Sequence, residues 1–327
     1  MRLHCESLFP KIHFYLIAIG IVAVAGGAGD FSRTVTEQLA GSGKHTKALF
    51  SKIRLKQGDS PVPGAELLVI DYSDADAIAA TLDAKAVDTV ISALGPGGEE
   101  GQLKLIAGAK KALHTSRFIP SEYAAYTPPD AQENEFTAEV LRAVDALRES
   151  GLQYTRFAIG IFMDYFGTPN TPSHLSPFVW GVDIAKHHAA IPGSGNEILS
   201  MTYSKDVARF IERLIEDGNW PEYSIISGSD TSFNQILALA QEYIGKYRHE
   251  DFSVTHDTKE KLEKNEATLL DDSSYGGMDP RVMMSVIGLQ LIEGGLELPS
   301  EGRLNDHYPE FKPMTIAELI ARAWKKG

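Results

Sequence analysis

The stretch GGAGDFS, Gly26–Ser32, places small residues where a chain can bind phosphate through its backbone. Gly26, Gly29 and Ser32 recur at every third position. The first residue of such a motif allows a tight turn, the second lets a pyrophosphate approach, and the third lets the helix pack on the strand. The N–H groups that open the following helix attract an anion. Glycines also cluster in ordinary strand-helix turns, so the motif depends on its surroundings.

Basic residues follow the second apolar run of the chain. The segment LFSKIRLK carries Lys52, Arg54 and Lys56, and no acidic residue occurs before Asp59. At this position a carboxylate recognises the ribose hydroxyl of NAD, whereas the extra phosphate of NADP requires positive charge. The segment therefore favours NADP(H), with Lys52 as the contact. The alternative is a solvated basic loop in an acidic protein.

Further cofactor contacts are expected at other strand ends. Asp30 and Phe31 lie inside the glycine turn, and Asp71 ends the third strand, where an adenine-facing residue is expected. Residues Ala93, Leu94 and Gly95 follow the fourth strand and would let the backbone approach the ribose and nicotinamide. Pro120, after the fifth strand, is expected beside the nicotinamide.

The elements that must position these residues alternate between apolar strands and helical stretches. The predicted strands are Ile21–Ala25, Lys47–Phe50, Glu66–Ile70, Asp88–Ala93, Arg117–Pro120 and Tyr154–Ile159. The predicted helices between them are Arg33–Leu39, Ala75–Leu82, Gln102–Ala112 and Phe136–Glu149. This order predicts an α/β fold with a Rossmann-like doubly wound parallel sheet and a smaller C-terminal substrate-binding lobe.

The sequence also suggests domain limits. We expect an N-terminal extension at 1–20, an NADP-binding Rossmann domain at 21–158 and a mainly substrate-binding lobe at 159–327, with a strand near 224–227 returning to the Rossmann sheet. Leu262–Pro280 is polar and glycine-bearing, and predicts a mobile loop or lid. The extension superficially resembles a signal peptide or a misplaced start, but its apolar run continues into the first strand.

Charge and cysteine content limit the partners. The 327 residues carry 44 acidic and 31 basic side chains, a net charge of −13, which opposes binding to nucleic acid or to anionic membranes. The single cysteine, Cys5, excludes an intrachain disulfide and favours a cytoplasmic location. A small-molecule substrate is the expected partner, and the oligomeric state stays open. No metal-ligand cluster is apparent in the sequence.

Several segments together resemble one family. Besides GGAGDFS, they are VISALG at Val90–Gly95, FIPSEYA at Phe118–Ala124, LQYTRFAIGIFMDYFG at Leu152–Gly167, AAIPGSGN at Ala189–Asn196 and TYSKDVARFI at Thr202–Ile211. The chain resembles the NmrA-like and isoflavone-reductase-like branch of atypical short-chain dehydrogenases, in a form typical of fungi. The resemblance implies an NADPH-binding Rossmann lobe with an active cleft beside the substrate lobe. Enzymes of this family reduce aromatic or other secondary metabolites, whereas other members bind the dinucleotide as redox-sensing regulators.

The proton donor that such a reduction needs is not obvious. Short-chain dehydrogenases of the main group use Tyr-x-x-x-Lys, but AAYT follows Tyr123. The family's usual lysine falls at Val140, and no lysine occurs between Lys111 and Lys186. Tyr123, expected near the nicotinamide, is a candidate acid, and a water molecule is the alternative proton source.

Four further residues are candidate substrate contacts: Glu122, Phe162, Asp164 and Tyr165. For Glu122 the alternative is that it orders its loop, and for Asp164 and Tyr165 it is a structural role in the cleft wall. The sequence therefore predicts an NADPH-dependent oxidoreductase acting on a small apolar or aromatic metabolite. A non-catalytic NADP-binding regulator of NmrA type is the alternative.

Overall fold

The computed structural model describes residues 20–26, 30–43, 47–52, 62–95, 97–133, 137–248, 251–272 and 277–325, with the backbone alone at 47–52 and 245–248. Six parallel strands form the main sheet in the order β3-β2-β1-β4-β5-β6. They are β1 Ile21–Ala25, β2 Lys47–Lys52, β3 Ala65–Val69, β4 Val87–Ser92, β5 Arg117–Ile119 and β6 Gln153–Tyr154. The predicted doubly wound α/β fold is thereby confirmed.

Helices cover both faces of this sheet. They are α1 Asp30–Gly41, α2 Ala75–Ala84, α3 Glu99–Lys111, α4 Ala138–Arg148 and α5 Ser204–Asp217. Alternate β1 residues serve the two faces: Val22 and Val24 join the core beneath α1 and α5, whereas Ala23 joins the core beneath α2, α3 and α4. Burial on both faces explains why β1 is an uninterrupted apolar run.

The remaining elements build the C-terminal part of the chain. Its strands are β7 Arg156–Ala158, β8 Ile161–Phe162, β9 Gly181–Asp183, β10 His188–Pro192, β11 Leu199–Thr202, β12 Tyr223–Ile225, β13 Ser229–Thr231 and β14 Ser253–Asp257. Its helices are α6 Phe233–Arg248, α7 Lys259–Glu263, α8 Pro280–Ile292, α9 Leu304–His307 and α10 Ile316–Trp324, with a 3₁₀ turn at Met163–Phe166. The strand predicted near 224–227 is β12, but it pairs in parallel with β7 in a separate two-stranded sheet and not with the main sheet, where it was expected.

A third hydrophobic core lies between β9, β10, β11 and the helices α6, α8 and α10. The described residues of the predicted loop at 262–280 form no helix or strand between α7 and α8, but they pack against the rest of the chain. Ala267 is 2% exposed, and the Thr268 N–H donates to the Asp257 carboxylate at 2.7 Å. Asp279 then caps α8 by accepting from the Arg281 N–H at 2.8 Å. Within the described ranges, no helix is both long enough and apolar enough to cross a membrane.

Candidate functional site

The strand order reverses between β1 and β4, and the ends of these two strands touch. The Ala93 N–H donates to the Ala25 carbonyl at 2.8 Å. Gly26 has φ +127°, and a Cβ at this position would lie 2.3 Å from the Ala93 carbonyl oxygen. Only glycine fits here, because a side chain would force the two strand ends apart. In a doubly wound sheet this reversal point is where ligands bind.

Tyr72 is a residue of this site that sequence reasoning missed. Its hydroxyl accepts the Gly26 N–H at 3.3 Å, and its ring lies beside Gly101 of α3. The predicted neighbour, Asp71, is exposed and accepts hydrogen bonds from the Ser73 hydroxyl at 2.7 Å and the Ser73 N–H at 2.9 Å. These bonds lower the pKa of Asp71. Asp71 stabilises the turn after β3, and this turn places the Tyr72 side chain at the end of β1.

The first turn of α1 combines core packing with a link to a distant loop. Ser32 is buried and lies close to Gly26, where a larger side chain would crowd the turn. The Phe31 ring is also buried, 4.5 Å from the ring of Tyr123. Asp30 instead reaches outward, and its Oδ1 accepts from the N–H and the hydroxyl of Ser176, each at 2.8 Å. The side chain of Phe31 therefore belongs to the core, which leaves its backbone for a ligand.

The loop after β5 is tied to the end of β4. The Ser121 hydroxyl donates to the Leu94 carbonyl at 2.7 Å, and the Tyr123 hydroxyl donates to the Ser92 carbonyl at 3.0 Å. The structure thus brings the predicted residues Ala93, Leu94 and Gly95 together with Pro120 and Tyr123. A Cβ placed on Gly95 would have no described atom within 4 Å.

Tyr123 is a weak acid in this arrangement. Burial raises the pKa of its phenol well above the ordinary value, and no described cation adjoins it. Its proton is already donated to the Ser92 carbonyl. Protonation of a substrate by Tyr123 would require that bond to be exchanged for one to the substrate.

Glu122 forms a buried ion pair with Arg156, which argues against its predicted role as a substrate contact. Its carboxylate accepts two hydrogen bonds from Arg156, at 2.7 Å from Nε and 2.5 Å from Nη2. The Arg156 guanidinium also lies 4.6 Å over the ring of Tyr223 and donates to its hydroxyl. Both charged groups are buried. The alternative reading, that Glu122 orders its loop, matches this geometry.

Asp164 is likewise structural and not a substrate contact. Its side chain is fully buried, and it accepts from the Ser204 N–H at 2.9 Å and the Ser204 hydroxyl at 2.6 Å. The Ser173 hydroxyl donates to the same carboxylate at 2.7 Å. Burial raises the pKa of Asp164, although these hydrogen bonds oppose the shift. Its negative charge lies at the N-terminus of α5, where the helix dipole favours it.

Phe162 and Tyr165 belong to a series of packed aromatic rings that begins at Phe31 in the first turn of α1. Successive ring centroids are 5.1 Å apart from Phe31 to Phe162, 6.4 Å from Phe162 to Tyr165 and 5.1 Å from Tyr165 to Phe178. Tyr165 and Phe178 line a cavity of about 200 Å³, together with Trp180 and Trp324. This series of aromatic rings connects α1 with an aromatic-walled cavity.

The segment between Ser173 and Trp180 contacts both α1 and the wall of the cavity. Besides the Asp30–Ser176 bonds, the His174 ring nitrogen Nε2 lies 2.7 Å from the Glu37 carboxylate on α1. The residues that follow, Pro177 and Phe178, line the cavity. A single short segment therefore contacts both the helix after the glycine turn and the cavity wall.

Some predicted site residues lie outside the described residues. Gly29 is one of them, as are Arg54 and Lys56, and only the backbone of Lys52 is described, pairing with Val69 at the end of β2. In the part of the chain that the structure describes, no group of three or more His, Cys, Asp or Glu side chains could hold a metal ion.

The sheet order and the glycine turn after β1 define a Rossmann-type α/β protein. Residues 20–275 match the model of the NmrA-like family, and the chain belongs to that family. "Oxidoreductase BOA1" of Botryotinia fuckeliana is 34% identical over 233 residues, which cover 69% of this chain and 76% of that protein. The resemblance seen in the sequence is confirmed.

Two solved structures share the fold. The complex of leucoanthocyanidin reductase from Vitis vinifera with NADPH superimposes with a TM-score of 0.72 at 18% identity, covering 92% of this chain and 98% of that one. The crystal structure of isoflavone reductase gives a TM-score of 0.67 at 21% identity, covering 92% and 98%. Both likenesses show that the fold extends over nearly the whole chain.

Proposed function

We propose that this protein is an NADPH-dependent oxidoreductase that reduces a small apolar or aromatic secondary metabolite in the cytoplasm. The observation that carries the proposal is the contact between Gly26 and Ala93 at the strand reversal, with aromatic rings leading from there to a cavity. The relative named as an oxidoreductase and the reductase solved with NADPH support it.

The residues present fit a dinucleotide. Gly26 lets the ends of β1 and β4 meet at the strand reversal, and a Cβ on Gly95 would have no described atom within 4 Å. The N-terminus of α1, beside Gly26, provides the partial positive charge that a pyrophosphate requires. We assign the adenosine phosphate of NADP to Lys52 and its basic neighbours in sequence. When bound, NADPH supplies the hydride for the reduction.

The chain's own residues would orient and protonate the substrate. Ser121 and Tyr123 hold the loops after β4 and β5 together through the Leu94 and Ser92 carbonyls. Phe162 and Tyr165 offer apolar ring faces to an aromatic substrate and exclude water. Tyr123, released from Ser92, or a water molecule delivers the proton.

A redox-sensing regulator that binds NADP without turnover is the second candidate. Two observations favour the regulator. The Tyr123 hydroxyl already donates its hydrogen bond to the Ser92 carbonyl, and no lysine occurs between Lys111 and Lys186. A sensor needs no group to stabilise developing negative charge.

Titration and turnover separate these two functions. Purified protein is titrated with NADPH and NADH, then mixed with NADPH and a panel of enones, quinones and aromatic ketones. Saturable NADPH binding with turnover that falls in Tyr123→Phe, but not in the control Tyr154→Phe, supports the enzyme. Tight NADPH binding without turnover supports the sensor. Absence of saturable binding of either dinucleotide would refute both.

A further inference from the structure

Two charged residues are among those that line the cavity beside Tyr165. Its walls include the aromatic residues Tyr165, Phe178, Trp180 and Trp324, and the charged residues are Asp183 and Lys186. Asp183 is the last residue of β9 and Lys186 lies in the connection to β10, where the Lys186 N–H donates to the Asp183 carboxylate at 3.0 Å. The lining of the cavity therefore combines aromatic side chains with one ion pair.

The two charges of this pair are not equally available to a ligand. The Asp183 side chain is 7% exposed and already accepts the Lys186 backbone N–H. The Lys186 side chain is 62% exposed, and its Nζ lies 3.5 Å from Asp183. The ion pairs of Lys85, Lys111 and Lys261 are shorter, at 2.6–2.7 Å. An ammonium group has three N–H donors, so Lys186 retains donors for a ligand while Asp183 keeps it near the cavity.

The size of the cavity limits the rest of the ligand. A volume of about 200 Å³ exceeds the roughly 150 Å³ of an apolar protein cavity that holds benzene. One aromatic ring with a short side chain therefore fits. The ring would pack on Tyr165, Phe178 or the tryptophans, and an anionic group on its side chain would reach the ammonium.

We infer that this cavity binds an aromatic carboxylate and that Lys186 is the residue that selects the carboxylate. The inference rests on the proposed function in taking the cavity as the substrate site. It adds the substrate class and a specificity-determining residue. Lys186 is also the first lysine after the segment in which the family's usual lysine is missing.

Binding of a matched pair of ligands tests the inference without any turnover. The probes are 3-phenylpropanoate and its methyl ester, which share the ring and chain but differ in charge. Affinity is measured by calorimetry and by tryptophan fluorescence, with and without NADPH, because Trp180 and Trp324 line the cavity. We expect the acid to bind about 10- to 100-fold more tightly than the ester.

Variants assign this preference to one side chain. Lys186→Met should remove the preference for the acid and leave ester binding unchanged, whereas Lys186→Arg should retain it. The control Lys205→Met changes an exposed lysine of α5 outside the cavity and should behave as the unmodified protein. Equal affinity for acid and ester in the unmodified protein, equal weakening of both in Lys186→Met, or binding of neither would overturn the inference. NADPH titration of the same samples tests the proposed function separately.

Discussion

The buried ion pair between Glu122 and Arg156 supports the loop that carries Tyr123, and breaking it should cost much stability. Arg156 is 2% exposed and Glu122 is 9% exposed. Removing one partner of a buried pair leaves the other charge uncompensated, which costs about 3–5 kcal/mol. We therefore expect Arg156→Met to lower the free energy of unfolding at pH 7 by about 3–5 kcal/mol. Urea unfolding followed by circular dichroism measures this difference.

The pH dependence of the loss distinguishes an uncompensated charge from lost packing. Burial already raises the pKa of Glu122, and Arg156 opposes that shift. Without Arg156, the pKa of Glu122 in the folded protein should rise further above its unfolded value of about 4.3. Such a carboxyl contributes stability below its unfolded pKa and loses it as the pH rises through the folded pKa. The deficit of Arg156→Met should consequently shrink between pH 7 and pH 5.

Two controls complete this experiment. Arg148→Met removes a half-exposed arginine whose ion pairs measure 3.4 and 3.5 Å, and it should cost no more than about 1 kcal/mol. The double variant Glu122→Gln/Arg156→Met removes both charges and should be more stable than Arg156→Met alone. The reasoning is refuted if Arg156→Met costs no more than Arg148→Met, or if its deficit is the same at both pH values.

Two further predictions concern α1 and its contacts. Gly26→Ala, directly after β1, should lower the free energy of unfolding by at least about 2 kcal/mol, because φ +127° and the Ala93 carbonyl oxygen, 2.3 Å from an added Cβ, leave no room for a side chain. The control Gly41→Ala, at the last residue of α1, places its Cβ within 4 Å of no described atom and should not destabilise the protein in the same urea assay. Ser176→Ala removes the hydrogen bond from the Ser176 hydroxyl to Asp30. Calorimetry measures the ratio of 3-phenylpropanoate affinities with and without NADPH, and this ratio should change in Ser176→Ala but not in the control Ser116→Ala. An unchanged ratio in Ser176→Ala would contradict the coupling.

The sequence predicted the main sheet well because its signals are local. The apolar run of β1 and the helical patterns of α1 and α2 follow from burial of neighbouring residues. Boundaries differ by a few residues where hydrogen bonds decide them: the predicted strand Tyr154–Ile159 is interrupted at Thr155, between β6 and β7. The helix α8 was missed, although Asp279 followed by Pro280 is a start signal, because the polar residues before it suggested a loop.

The roles of individual polar residues were harder to predict, because partners distant in sequence fix them. Glu122 and Asp164 are of residue types that can contact substrate, but Arg156 and Ser204 bind their carboxylates. Tyr72 stands beside the predicted Asp71, and only the turn after β3 determines which of the two reaches Gly26. A local sequence pattern indicates which residues could belong to a functional site, and tertiary contacts determine which of them do.

The long-range contacts of the segment from Ser173 to Trp180 have a functional consequence. Ser176 binds Asp30 across 146 positions of sequence, and Phe178 lies against Tyr165 in the cavity wall. A ligand that orders the first turn of α1 would also restrain the segment whose next residues shape the cavity. Coupling requires that both ligands bias the same element, and this segment is the described element that contacts both places. Under either proposed function, reductase or sensor, binding of a dinucleotide beside Gly26 should therefore change the affinity of the cavity for its ligand.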